Sequence, residues 1–99
     1  MRELDVTWSS VSSSGGQTPV HVLGDVMQSV WLFRGSTGVA TATVRVESGF
    51  TESGPWIDEG GSTALTSGAC ASVRITGPFA YVRPWVNSTG ISVRVVGTR

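Results

Sequence analysis

Leu4, Val6 and Trp8 alternate with Asp5, Thr7 and Ser9, the period-two pattern of a strand with one buried face. The Ser-Ser-Ser-Gly-Gly stretch at 12–16 ends it in a loop. Residues 19–23 predict a short strand broken at Gly24-Asp25. Residues 26–33 predict a longer strand, and because its apolar residues fall on both faces it is expected to be central. After a turn at 34–38 comes the clearest alternation in the chain, with Ala40, Ala42, Val44 and Val46 on one side and Thr41, Thr43, Arg45 and Glu47 on the other. Residues 48–55 read as loop, Trp56-Ile57-Asp58 as a short strand, and 59–68 as a flexible Gly/Ser/Thr connection. Ala69, Ala71, Val73 and Ile75 make one apolar side of the next strand, which stops at Gly77-Pro78.

Two further strands, at 80–86 and 91–96, flank Asn87-Ser88-Thr89-Gly90, which reads as a four-residue hairpin with Gly90 placed for positive φ. In that register Val82, Pro84 and Val86 face Val95, Val93 and Ile91 on an apolar inner side, and the outer side pairs Trp85 with Ser92, Arg83 with Arg94 and Tyr81 with Val96. Pro84 has no N–H to give to a ladder, which predicts an edge strand. Turn-punctuated short strands without a crossover helix give an all-β fold: one antiparallel β-sandwich or jelly-roll-like barrel of about seven or eight strands, spanning 1–99 as a single domain.

Composition agrees with this pattern and excludes several functions. A hydrophobic fraction of 39% supports a packed core, while 14% charged residues argues against a self-repelling disordered chain. Formal net charge is zero and there is no lysine, so no basic stripe is available for phosphate, and nucleic acid is not expected as a partner. No apolar run approaches the roughly 20 residues of a membrane span, and the opening Met-Arg-Glu-Leu-Asp-Val lacks a signal-peptide core, so synthesis in a cytoplasm without membrane attachment is expected. One cysteine and one histidine form neither a disulfide framework nor a metal site. A small core without either staple makes association between copies a physically motivated expectation.

Catalytic chemistry finds little to stand on. A Cys70–His21 dyad is conceivable, but nothing in the spacing joins the two and no third orienting group is evident; the plainer reading is a surface strand histidine and a small filler cysteine. Asp58 and Glu59 are adjacent, so on a strand they point to opposite faces and cannot act as a carboxylate pair. The segments 35–38 and 60–61 lack the Lys-Ser/Thr and helix of a phosphate loop. Asn87-Ser88-Thr89 matches a glycosylation acceptor but is more simply a turn. No cofactor is implied, and the chain is expected to be non-enzymatic.

The aromatics say more. Trp8, Trp31 and Phe33 fall on apolar strand sides and belong in the core. Tyr81 and Trp85, with Phe79 just before them, share the side of their strand opposite Val82 and Val86, together with Arg83 and Arg94. Either a second layer of the chain covers this side or another subunit or partner does, because aromatic-plus-arginine patches mark interaction sites. A facing Arg83–Arg94 pair is unfavourable unless a carboxylate or aromatic ring intervenes. Phe79, Tyr81, Arg83, Trp85 and Arg94 are therefore the candidate protein interface.

The turn at 35–38, the strand Thr41-Ala-Thr-Val-Arg-Val-Glu-Ser48, Trp56-Ile57-Asp58, the run Gly77-Pro78-Phe79-Ala80-Tyr81-Val82-Arg83 and the terminal hairpin follow one another in an order that resembles the small β-sandwich virion proteins of tailed bacteriophages, over about two thirds of the chain. At 52–55 this chain has Glu-Ser-Gly-Pro where those proteins commonly carry an Asp-Gly turn. The resemblance implies a capsid-decorating (cement) or tail-associated structural protein of the virion, often trimeric, whose partners are its own copies and the phage major capsid protein, with no catalytic residue. The alternative from another class is a carbohydrate-binding or receptor-binding module in which Trp56 or Trp85 is a platform for a sugar ring. The scarcity of Asp, Asn and Gln near those tryptophans counts against it.

Overall fold

The computed structural model describes residues 3–22, 28–35, 41–66, 68–76 and 80–98. They form nine strands: β1 (Glu3–Trp8), β2 (Gly15–Gly16), β3 (Val20–His21), β4 (Gln28–Gly35), β5 (Ala42–Gly49), β6 (Trp56–Leu65), β7 (Cys70–Thr76), β8 (Tyr81–Val86) and β9 (Ile91–Thr98). Two antiparallel sheets result, one of four strands in the order β1-β9-β4-β7 and one of five in the order β2-β8-β5-β6, with β3 also paired to β8. β2 and β3 are two pieces of one interrupted edge strand, pairing with the two ends of β8 through Gly16↔Trp85 and Val20↔Val82. Counted as one, they leave eight positions in the strand order of a two-sheet jelly roll. Among the described strands only β5 and β6 form a hairpin; with β2 and β3 taken as one, the other successive strands lie in opposite sheets.

Period-two patterning builds the interior. Trp31 and Phe33 of β4, Ala42, Val44 and Val46 of β5, Leu65 of β6, Val73 and Ile75 of β7, Val82 and Val86 of β8, and Ile91, Val93 and Val95 of β9 form one buried cluster. Trp31 and Phe33 are fully buried; each such burial stabilises the fold by roughly 1.5–3 kcal/mol. Trp31 gives its indole N–H to the buried Ser29 hydroxyl at 3.0 Å, and Trp8 stacks on it with centroids 5.7 Å apart. The central position expected for β4 is found, between β9 and β7. Of the expected turn at 34–38, Arg34 and Gly35 belong to β4; residues 36–40 lie outside the described residues, as do Leu23 to Met27 and Gly77 to Phe79.

Four expectations are corrected. The connection 87–90 is not a hairpin. Asn87 still belongs to the five-stranded sheet, where its N–H meets the Thr43 carbonyl and its Oδ1 accepts from Thr43 N–H, whereas Gly90 N–H already meets Val11 beside the other sheet. The chain crosses the core there, so Val82, Pro84 and Val86 look across the interior at the apolar face of β9 instead of lying beside it in register. Alternation identifies the inward residues but is identical for a hairpin and a crossing.

The segment 56–65 is one ten-residue strand, not a short strand followed by a flexible connection. Its pairing with β5 passes from Val46↔Glu59 to Val44↔Thr63, so Arg45 spans Gly60, Gly61 and Ser62. Gly60 and Gly61 take φ of 83° and 77°, which absorbs this bulge and lets a Gly/Ser/Thr run stay in the sheet. Ser48 and Gly49, expected in a loop, complete β5, and buried Ser48 donates to Glu59 Oε1 at 2.9 Å.

Finally, β8 is not an edge strand. Gln17 N–H donates to the Pro84 carbonyl. A strand residue's N and C=O point to the same side, so the missing Pro84 donor faces the gap between β2 and β3, where the edge strand is interrupted.

Candidate interaction surface

The outer face of the five-stranded sheet is organised around β8. Its inward residues, Val82, Pro84 and Val86, are buried, which turns Tyr81, Arg83 and Trp85 outward, each half-buried. Across from them β5 presents Gly49, Glu47 and Arg45, through Tyr81↔Gly49, Arg83↔Glu47 and Trp85↔Arg45. β6 adds Trp56 opposite Gly49 and Asp58 opposite Glu47. Gly49 has to be small, because a Cβ there would lie 2.8 Å from the Pro55 carbonyl and 3.2 Å from the Trp56 ring.

Glu47 is the hub of this face. Its side chain is only 8% exposed, and it accepts from Arg83 Nε at 2.8 Å on one oxygen and from Arg45 Nη2 at 3.1 Å on the other. Each guanidinium also covers an indole: Arg45 lies 3.9 Å from the Trp85 ring centroid and Arg83 lies 4.1 Å from that of Trp56. His21 stacks on Tyr81 at 4.8 Å. Charge-assisted bonds and cation–π contacts thus hold two arginines and two tryptophans as one unit around a shielded carboxylate.

The candidate interface is divided by the fold. Tyr81, Arg83 and Trp85 do share one face. Arg94 does not: it lies on the outer face of the four-stranded sheet, where Nε and Nη2 bind the Asp5 carboxylate at 3.0 and 2.8 Å. The Arg83–Arg94 juxtaposition therefore never arises, because each guanidinium faces a carboxylate in its own sheet. The Arg94 hydrogen bond holds the Asp5 carboxyl below its ordinary value and raises Arg94 in turn. Phe79 lies outside the described residues.

Sequence reasoning assigned no partner to Glu47 or Arg45 on this face, considered Trp56 only as a platform for a sugar ring, and gave Gly16 no role. The polar alternation of 41–47 signalled that Arg45 and Glu47 point outward; only the β5–β8 pairing sets them beside Arg83 and Trp85. His21 and Cys70 are not brought together. His21 stacks on the five-stranded sheet, while exposed Cys70 is paired with Arg34 in the other. Among the described residues no group of three His, Cys, Asp or Glu side chains could hold a metal ion. The described face offers planar rings and guanidinium edges, the chemistry of a contact surface.

No family model and no curated protein matches the chain. Solved structures do. The SPBc2 prophage-derived protein YomS superposes with a TM-score of 0.63 at 9% identity, covering 98% of this chain and 95% of that one. The PBSX exported protein XepA gives a TM-score of 0.65 at 12% identity over 95% of this chain and 34% of XepA. The CBM22-1-GH10 modules of Clostridium thermocellum xylanase 10B, solved with xylohexaose, give 0.52 at 13% identity over 98% of this chain and 26% of that one. At these identities the likeness is one of fold.

Proposed function

We propose that this chain is a non-enzymatic structural protein of a phage virion that decorates the head, binding the major capsid protein lattice through the outer face of β8 and cementing it. The observation that carries this reading is the locked set of Arg83, Glu47, Arg45, Trp85 and Trp56. Rigid aromatic and arginine side chains are the favoured anchors of protein interfaces, and holding them in place beforehand removes part of the ordering cost of docking. Sharing a fold with a prophage-derived protein supports the same reading. Modest affinity per copy suffices where many copies act on one lattice, and association into a trimer would add to it. The test is mass spectrometry of purified particles together with binding to expanded capsid shells. The chain should appear in the particles and Trp85→Ala or Arg83→Glu should weaken shell binding; absence from particles with no shell binding refutes the reading.

A second reading, a carbohydrate- or receptor-binding module on the tail, draws on the half-buried Trp56 and Trp85 rings. Each ring already has a guanidinium over it, which leaves less flat surface for a sugar. A glycan array with no bound member removes this reading, and a specific hit abolished by Trp85→Ala would replace the first.

A further inference from the structure

The outer face of the four-stranded sheet has an apolar centre. Leu32 is 45% exposed and Val96 37%, with half-buried Val30 beside Val96. Leu32 and the stems of Arg34 and Arg94 wall a shallow hollow of about 370 Å³. Arg94 is neutralised by Asp5, but Arg34 and Arg74, on the same face, make no ion pair among the described residues. Glu47 and Asp5 are occupied by arginines and Glu59 by Ser48. Of the carboxylates whose side chains are described, Glu52 and Asp58 remain; they also make no ion pair among the described residues and are exposed, and between them in sequence Ile57 is 47% exposed. These three lie at the β5–β6 turn and on β6, the edge strand of the other sheet. The excess positive charge and the excess negative charge of the described surface thus sit on different sheets, each beside exposed aliphatic side chains. Asp58 looks outward from the five-stranded sheet, so the sandwich itself separates it from Arg34 and Arg74.

We infer that a second copy of this chain is the partner of the four-stranded face: the Glu52–Ile57–Asp58 margin of one copy docks onto Leu32, Val96, Arg34 and Arg74 of the next. β6 docks edge-on: Ile57, on the inward side of that edge strand, meets the Leu32 hollow, while Asp58 on its outward side and Glu52 at the turn meet the Arg34 and Arg74 guanidiniums. A contact of the arginine face with itself would oppose like charges, so the face of one copy meets the margin of another, and repeated head-to-tail such a contact propagates from copy to copy. It leaves the outer face of β8 free for another partner. The inference does not depend on where the protein resides, and the purified chain tests it alone.

The experiment is sedimentation equilibrium of the full chain from micromolar to near-millimolar concentration at low and high salt, with Leu32→Arg and Ile57→Arg as variants. Both substitutions add a positive charge at an exposed site, so neither attracts the other by bulk charge. The wild type should rise above its 10.4 kDa monomer mass with concentration, and salt should weaken the rise. Each variant alone should associate about tenfold or more weakly, because an arginine replaces the aliphatic contact or repels the arginine face. A one-to-one mixture should form a species of twice the monomer mass and nothing larger, since only the intact face of Ile57→Arg and the intact margin of Leu32→Arg can meet. A wild type that stays monomeric throughout overturns the inference without reference to either variant. So does undiminished association of both variants, or a mixture that stays monomeric. Absence of the protein from virions would refute the proposed function and leave this result standing.

Discussion

Gly16→Ala probes the guanidinium ladder with the smallest possible perturbation. Gly16 lies in β2 opposite Trp85, and its φ is outside the positive region, so the backbone accepts alanine. The added Cβ, however, would overlap Cζ and Nε of Arg83 and lie 2.6 Å from Nη1. Arg83 is long and can swing away, but doing so breaks its 2.8 Å bond to Glu47, whose side chain is 8% exposed and keeps only Arg45. Losing a hydrogen bond to a charged, largely buried group costs about 1.5–3 kcal/mol. Replacing glycine at a compatible site returns about 0.4–1 kcal/mol through the unfolded chain. The expected net loss is about 1–2 kcal/mol, with the melting temperature falling about 4–8 °C per kcal/mol in a domain of this size. Urea unfolding followed by tryptophan fluorescence measures it, and the same substitution in an Arg83→Met background separates the ladder from other effects. There the long-range bond is already gone, so Gly16→Ala should cost little or stabilise. A neutral Gly16→Ala in the wild type, or an equal cost in both backgrounds, refutes the claim that Gly16 is small in order to seat Arg83.

Phe33→Ala, at a fully buried position, should cost about 3–5 kcal/mol in denaturant unfolding; a loss below about 1 kcal/mol would mean that Phe33 is not packed in the core. Gly60→Ala should destabilise by about 1 kcal/mol or more, since φ there is 83° and the new Cβ would lie 3.1 Å from Val73 Cγ1; a stabilised variant would argue against the bulge. The Asp5 carboxyl is lowered in the folded chain by its bond from Arg94. Its contribution to stability is therefore present above the unfolded Asp value, about 3.9, and is lost as pH falls through the lower folded value. Carboxyl titration by NMR should find Asp5 below the ordinary range in the wild type and returned toward it in Arg94→Gln; an unchanged Asp5 titration would contradict the assignment.

Alternation along the chain is a local property, and it reveals which side of each strand faces the core. Val44 and Val46, Val73 and Ile75, Val82 and Val86, and Ile91, Val93 and Val95 all read correctly as inward residues, and a chain so patterned, with no helical period, can only be a layered β fold. The outward set Tyr81, Arg83 and Trp85 was legible for the same reason. Which strands lie side by side was not. Asn87 to Gly90 could close a hairpin or carry the chain across the interior with the same residues buried, and it does the latter, which removes Arg94 from the face that holds Arg83. The Gly60-Gly61 pair looked like a linker because a bulge stays in a sheet only when a neighbouring strand is there to pair with. Pro84 looked like an edge marker because the gap between β2 and β3 that tolerates it comes from another part of the chain. The pairing of β5 with β8, which sets Glu47 opposite Arg83, 36 residues further along the chain, put a carboxylate between two arginines. Inward and outward follow from the order of side chains along one strand, but neighbours follow from how every strand satisfies its backbone hydrogen bonds at once, and that was decided only when the sheets assembled.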